Sequence, residues 1–112
     1  MSDTEKLQRL AQVSNLILET KMLALEKAAR ARQHSLARMA ELNRPAAPND
    51  LPLVLAADVA MRYELWADQR RSEINLILAR QTVEWVEARQ AAAGAFGRNQ
   101  VVQKLADRTP KR

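Results

Sequence analysis

The stretch Arg44-Pro45-Ala46-Ala47-Pro48-Asn49-Asp50-Leu51-Pro52 places three prolines within eight residues of a chain that is otherwise rich in helix-forming residues. Proline ends a helix because it has no amide proton and pushes the preceding residue out of the helical region. We therefore predict a first helix over about residues 3–43, a proline-rich turn over 44–52 and a second helix over about 53–108. Ser2, Asp3 or Thr4 is suited to cap the first helix, and Asn49 or Asp50 the second.

Short connections between helices favour antiparallel neighbours. The predicted fold class is therefore all-α, a long antiparallel two-helix coiled-coil hairpin that forms one domain over residues 1–112. Apolar residues recur three and four apart in both arms, which is the helical period. In the first arm they are Leu7, Leu10, Val13, Ile17, Leu18, Met22, Leu25, Ala29, Leu36 and Met39, with Arg32 in the same line. In the second arm the heptad positions are Ala60, Tyr63, Ala67, Arg70, Ile74, Ile77, Gln81, Trp85, Ala88, Ala92, Ala95, Asn99 and Val102.

The turn also predicts a register for the two arms. A turn centred near residue 47 or 48 pairs residues whose numbers add up to 95 or 96, so the first helix would run out opposite residue 92. Residues 98–112 would then overhang as a C-terminal helix without a partner, with a hinge at Gly94 and Gly97. Residues 91–112 contain five Lys or Arg against one acidic residue, so the predicted overhang is the most basic part of the chain.

No catalytic, cofactor or metal site is indicated by the residue pattern. There is no cysteine, and His34 is the only histidine, so the sequence offers no metal-ligand spacing. The carboxylates are interleaved with arginines, which is typical of an exposed helix face, and the two glycines match no phosphate-binding loop. We expect a protein that is not an enzyme.

The two tryptophans differ in their predicted positions. Trp85 lies on the heptad line and is expected in the seam between the helices. Trp66 lies off that line, and a large aromatic side chain on an exposed helix face is typical of a docking anchor. A ragged seam that also buries Trp66 is the alternative, and the sequence leaves both open.

Several stretches resemble the flagellar FliJ proteins and the injectisome YscO stalk proteins. They are Leu7-Gln8-Arg9-Leu10, the run from Leu36 to Leu42, Tyr63-x-x-Trp66 and the run from Gln100 to Arg108. Members of this family are antiparallel coiled coils that are similar to the central stalk of rotary ATPases. The resemblance implies that the end holding both termini enters a hexameric export ATPase, that the hairpin contacts the export gate membrane protein, and that export chaperones bind as well.

The resemblance also implies which residues make these contacts. The ATPase-facing end would include Leu7, Leu10, Arg98, Gln103, Lys104, Leu105 and Arg108. Tyr63 and Trp66 would face the gate. The expected function is thus a coiled-coil stalk or coupling component of a bacterial flagellar (type III) protein export apparatus.

Other readings of the sequence remain open. The net charge of +5 and a pI near 10.2 are compatible with a nucleic-acid-binding basic coiled coil, although the basic residues are mostly interleaved with acids. A generic helical adaptor or chaperone is a further alternative, and two copies could pair into a homodimeric four-helix bundle. The polar start of the chain and the short apolar runs predict a cytoplasmic protein, held at the inner membrane only through partners.

Overall fold

A computed structural model describes residues 2–45 and 50–108. In these ranges the chain forms two helices, α1 (Asp3–Leu42) and α2 (Leu53–Arg108), and no strand. The all-α fold class with two long helices is therefore confirmed. The predicted centre of the turn at residues 47 and 48, the candidate cap Asn49 and the last residues of the tail lie outside the described residues.

Local hydrogen bonds fix the helix ends. The Ser2 hydroxyl accepts a hydrogen bond from the Glu5 backbone amide at 3.2 Å, so Ser2 is the N-cap of α1. At the other end the Asn43 and Arg44 amides donate to carbonyls of the last turn, which tightens it. The first hydrogen bond of α2 runs from the Ala56 amide to the Pro52 carbonyl, so a proline, which has no amide proton to leave unsatisfied, stands just before the helix.

The chain forms two compact units, each of which pairs one part of α1 with one part of α2. The turn unit comprises described residues 31–45 and 50–82. In this unit Arg32 donates to the Thr82 hydroxyl at 3.1 Å and Ser35 donates to the Gln81 side chain. Nearer the turn, Arg71 donates to the Asn43 side chain at 2.9 Å. Positions in α1 rise as their partners in α2 fall, so the helices are antiparallel.

The terminal unit comprises described residues 2–30 and 83–108. Here the Gln103 side chain donates to the Ala11 carbonyl at 3.0 Å, and both Ala11 and Ala106 are buried. The end of α2 is therefore packed against the start of α1. The predicted overhang of residues 98–112 is wrong for residues 98–108, which have a helical partner within the chain.

The error in the prediction comes from the register. Partners joined by hydrogen bonds have residue numbers that add up to 113–116, not to 95 or 96. Extra residues in a connection cost little free energy, so the packing of the helices sets the register rather than the shortest possible turn. The buried positions are nearly all small residues that let two helices approach closely, namely Ala11, Ser35, Ala67, Ala92, Ala95 and Ala106, with Ile74 as the large exception.

The heptad predicted for α2 is buried or half-buried from Ala67 to Val102, whereas its first two members, Ala60 and Tyr63, are exposed. In α1 the seam contains Leu7, Ala11, Leu18 and Leu25 among others. Four residues expected in that stripe instead lie outside it and are about half exposed, namely Leu10, Val13, Ile17 and Met22. The inward positions between them are taken by Leu7, Ala11, Leu18 and Leu25 instead.

The predicted hinge at Gly94 and Gly97 is also absent from the structure. α2 continues as a helix through both residues, and neither glycine has a positive φ. The buried Ala92 and Ala95 beside them hold this part of the helix against α1, because their positions face the seam.

Candidate docking surfaces

The start of α2 is an apolar helix that the rest of the described chain leaves uncovered. We call residues 53–66 the leading segment. Apart from the half-buried Ala56, every residue in it is exposed. The relative exposure reaches 85% at Leu53 and 81% at Val54. The exposed large apolar side chains of the segment are Leu53, Val54, Leu55, Val59, Met61, Tyr63, Leu65 and Trp66.

These side chains cover the whole circumference of the helix. Successive residues of a helix point about 100° apart, so Leu53, Val54 and Leu55 alone point in three different directions. A helix that is apolar all round is normally buried. The leading segment is about 21 Å long at 1.5 Å per residue, and it is a candidate surface for a partner.

An open groove of about 690 Å³ runs along the leading segment within the turn unit. One wall is the end of α1 and the chain that follows it, from Glu41 to Pro45. The other wall is α2, with Ala56, Val59, Ala60, Tyr63, Glu64, Trp66 and Arg71. The groove continues the line of the helix seam past the point where α1 ends.

Arg71 marks that point. Its guanidinium donates to the Leu42 carbonyl at 3.1 Å, at the negative end of the α1 dipole. It also donates to Asp68 at 2.7 Å and to Glu64 at 3.3 Å. Partial burial alone would lower the pKa of Arg71, but the hydrogen bonds to these two carboxylates outweigh it and raise the pKa above its ordinary value. Arg71 thus remains a permanent cation that binds the end of α1.

The structure places the predicted gate-facing residues, Tyr63 and Trp66, inside the leading segment. Their ring centroids are 5.7 Å apart with the planes tilted by 43°, and the Trp66 side chain is 53% exposed. Trp66 is therefore not buried by the seam. Trp85, by contrast, is half-buried on the seam line, with the Arg89 guanidinium 5.4 Å from its ring centroid.

All seven predicted ATPase-facing residues lie in the terminal unit, but they differ in exposure. Leu7 and Gln103 are half-buried, and the Gln103 amide is engaged with the Ala11 carbonyl and the Asn99 side chain. These two residues therefore serve the seam. The exposed ones are Leu10, Arg98, Lys104, Leu105 and Arg108.

The five exposed members form a second candidate surface together with the exposed Val13 and Val101. We call these seven residues the terminal face. The register that joins Ala11 to Gln103 puts Leu10 at the level of Leu105 and Val13 at the level of Val101. All four side chains are about half exposed. The basic side chains of Arg98 and Arg108 lie in the same stretch of α2, so the terminal face combines apolar and basic residues.

Among the described residues, no group of three or more His, Cys, Asp and Glu is gathered to hold a metal ion, and His34 is exposed. Neither helix, as far as it is described, has a stretch long and apolar enough to span a membrane. Many arginines are paired with nearby carboxylates, namely Arg30, Arg44, Arg62, Arg70 and Arg71. They therefore do not form the unbalanced basic stripe that a nucleic-acid-binding helix needs, and Lys111 and Arg112 lie outside the described residues.

Comparison of the chain with models of protein families, with curated proteins and with solved structures gives no match. The similarity to type III export stalks therefore rests on the residues quoted from the sequence.

The sequence carried a signal for the leading segment that heptad counting does not detect. Residues 53–57 read Leu-Val-Leu-Ala-Ala, and an uninterrupted apolar run at the start of a helix cannot fit a one-sided seam. Tyr63 and Trp66 could be identified from the sequence because they are aromatic. The sequence did not show that four other apolar residues of the segment are exposed. This becomes clear only from the register, in which α1 does not reach Leu53, Val54, Met61 and Leu65.

Proposed function

We propose that this protein is a non-enzymatic helical hairpin that acts by docking onto other proteins through the leading segment and the terminal face. One observation carries the proposal, namely that residues 53–66 expose eight large apolar side chains that point in several directions around the helix. Leaving several large apolar side chains in water is unfavourable by about 25 cal/mol per Å² of apolar surface. Surfaces of this kind are typical of sites that a partner covers.

We further propose that the assembly it serves is a bacterial flagellar (type III) protein export apparatus, in which it would be a cytoplasmic stalk or coupling component. The support is the resemblance in the sequence, together with the division of the implied contacts between two separate surfaces. The terminal face would meet the hexameric export ATPase. Tyr63 and Trp66 would meet the export gate membrane protein, and export chaperones would be further partners.

The test is a binding assay with two purified partners, the hexameric export ATPase and the cytoplasmic domain of the gate protein from the same cell. Leu10→Asp combined with Leu105→Asp should weaken binding to the ATPase at least tenfold and leave binding to the gate unchanged. Tyr63→Ala combined with Trp66→Ala should do the reverse, since buried aromatic anchors typically contribute 2 kcal/mol or more, about 30-fold.

Leu76→Asp is the control, because Leu76 is an even more exposed apolar residue on α2 that lies outside both surfaces. It should leave both affinities unchanged. If neither partner binds the wild-type chain, the export proposal is wrong. The partner of the leading segment would then have to be sought among other proteins. Retention on DNA that is lost as salt is raised would instead favour the nucleic-acid alternative.

A further inference from the structure

We infer that one side of the terminal unit binds a helix of a partner protein whose apolar stripe is bordered by Asp or Glu, and that Arg98 pairs with one of those carboxylates. We call this side, along residues 10–24 of α1 and 91–105 of α2, the lateral face. The inference rests on the proposed docking through the terminal face and names the chemistry of the partner. Three features carry it: an apolar strip, small residues that extend the strip, and cations that pair with no described carboxylate.

The lateral face is formed by residues that flank the seam on the same side of both helices. Leu10 and Ile17 in α1, and Arg98 and Leu105 in α2, each come one position before a buried or half-buried residue of the seam. Each therefore points about 100° away from that residue in the same rotational sense. A half-turn about the normal to the plane of two antiparallel helices exchanges them, so all four residues lie on one side of the pair.

The part of the lateral face nearer the chain ends is an exposed apolar strip. Val13 and Val101 lie level with each other, between the pair Leu10 and Leu105 and the next residue inward, Ile17. The exposed fraction is 45% for Val13 and Ile17 and 59% for Val101. Half-exposed apolar side chains on two adjacent helices form a surface against which a third amphipathic helix can pack.

Small residues extend the strip towards the turn. They are Ala24 in α1 and Ala91 and Gly94 in α2. Thr20 lies beside them, and its hydroxyl donates to the Leu16 carbonyl of its own helix at 2.9 Å, so a partner does not have to supply an acceptor. Small residues allow a third helix to approach closely. The whole strip is about 21 Å long, which corresponds to about four turns of a partner helix.

The charges on the lateral face and at its end are positive. Arg98 lies in the middle, and its guanidinium is 3.3 Å from the point where a Cβ on Gly94 would be. Lys6 and Arg108 lie level with each other at the terminal end. None of these three cations forms an ion pair with a carboxylate of the described chain, whereas several arginines of the turn unit do. Complementary charge therefore requires carboxylates beside the apolar stripe of the partner.

Three cations are few for the other acidic partners. Proteins that bind nucleic acid through its backbone typically neutralise about six to ten phosphates, and segments that bind anionic membranes contain about four to eight Lys or Arg. Residues 10–24 and 91–105 also contain no Trp or Tyr, the residues that anchor proteins at membrane surfaces. An acidic amphipathic helix is therefore the partner that the apolar strip and the charges favour.

The test measures binding of a designed peptide to the full chain. The probe is a fluorescently labelled peptide of about three heptads, with Leu at positions a and d and Glu at the others, used at nanomolar concentration. The control peptide has Lys in place of every Glu. Fluorescence anisotropy should give a dissociation constant on the order of 10 µM for the acidic peptide and binding at least about tenfold weaker for the basic peptide.

Two pairs of variants locate the binding site. Ile17→Asp should weaken binding of the acidic peptide about tenfold or more, whereas Leu16→Asp should change it less than about twofold, because Leu16 is 61% exposed but points away from the lateral face. Arg98→Glu should weaken binding about fivefold or more. Lys104→Glu makes the same charge reversal on the outer side of α2 and should have an effect below about twofold at 0.15 M salt.

Circular dichroism of each variant separates lost binding from lost folding, and Arg98→Glu should fold normally because Arg98 is exposed. The inference is overturned if the basic peptide binds as tightly as the acidic one, or if Leu16→Asp and Lys104→Glu weaken binding as much as Ile17→Asp and Arg98→Glu. It is also overturned if duplex DNA or phosphatidylglycerol vesicles bind to this face more tightly than the acidic peptide does.

The same variants distinguish this inference from the proposed function. If the export ATPase binds the wild-type chain and binding survives both Ile17→Asp and Arg98→Glu, the inference is overturned and the proposed function stands. If the acidic peptide binds as expected and the export ATPase does not bind, the inference is supported and the export proposal is wrong.

Discussion

Ile74→Ala should destabilise the turn unit strongly, whereas Leu76→Ala, two residues further along the same helix, should have almost no effect. Ile74 is the one large apolar side chain in the described core and is only 2% exposed, whereas Leu76 is 75% exposed. Both variants replace a branched aliphatic residue by alanine within α2. Differences in helix propensity are then only a few tenths of a kcal/mol, so burial dominates the comparison.

The magnitude follows from the atoms removed. Ile74→Ala deletes three buried carbons, which at about 0.8 kcal/mol each gives roughly 2.4 kcal/mol of lost transfer free energy. A cavity would add to this figure, but a seam between two helices is flanked by solvent and can partly collapse. We therefore expect about 2–3 kcal/mol for Ile74→Ala and less than about 0.5 kcal/mol for Leu76→Ala.

The assay is thermal unfolding followed by circular dichroism at the helical minimum. With an unfolding entropy of about 2.1 cal/mol/K per residue, 2.5 kcal/mol corresponds to a fall in Tm of roughly 10 °C for a chain of this length. Leu76→Ala should shift Tm by no more than about 2 °C. Equal shifts for the two variants would refute the assignment of Ile74 to the seam.

Three further predictions test other parts of the structure. Gly97→Ala should raise the free energy of unfolding by up to about 1 kcal/mol, because a Cβ at this position meets nothing within 4 Å. Gly94→Ala should raise the free energy of unfolding by less, because the Arg98 guanidinium lies 3.3 Å from the new Cβ. Urea unfolding measures both, and a destabilised Gly97→Ala would show that α2 is not a regular helix there. Ser35→Ala should cost about 1–2 kcal/mol by removing the donor to Gln81, and adding Gln81→Leu should recover most of it; additive losses would contradict a direct bond. Arg71→Ala should speed amide hydrogen exchange in the last turn of α1 and leave the start of α1 unchanged, whereas equal changes at both ends would mean that Arg71 does not hold the Leu42 carbonyl.

The sequence was sufficient for the fold class because proline and the helical period act locally. Pro45 and Pro52 stand beside the end of α1 and the start of α2. Ser2 was among the candidate caps because a hydroxyl before the first turn satisfies an orphan amide. These features depend only on residues within a few positions of one another.

The register could not be obtained in the same way, because it depends on contacts between residues dozens of positions apart. Ser35 and Gln81 are polar, and Ala11 is small, so none of them stands out in a count of large apolar residues. Yet their packing and hydrogen bonds fix where the helices meet. The wrong register placed the uncovered helix at residues 98–112, whereas the structure leaves residues 53–66 uncovered at the opposite end of α2.

Amide hydrogen exchange, measured peptide by peptide, tests the central claim most directly. Residues 53–66 should exchange faster than any other part of α2 in the described chain, because nearly all of them are exposed there, whereas the rest of α2 packs against α1. Residues 91–106 should be protected, since Ala92, Ala95 and Ala106 are buried against α1. The opposite pattern, with residues 98–108 exchanging fastest and 53–66 protected, would contradict the account.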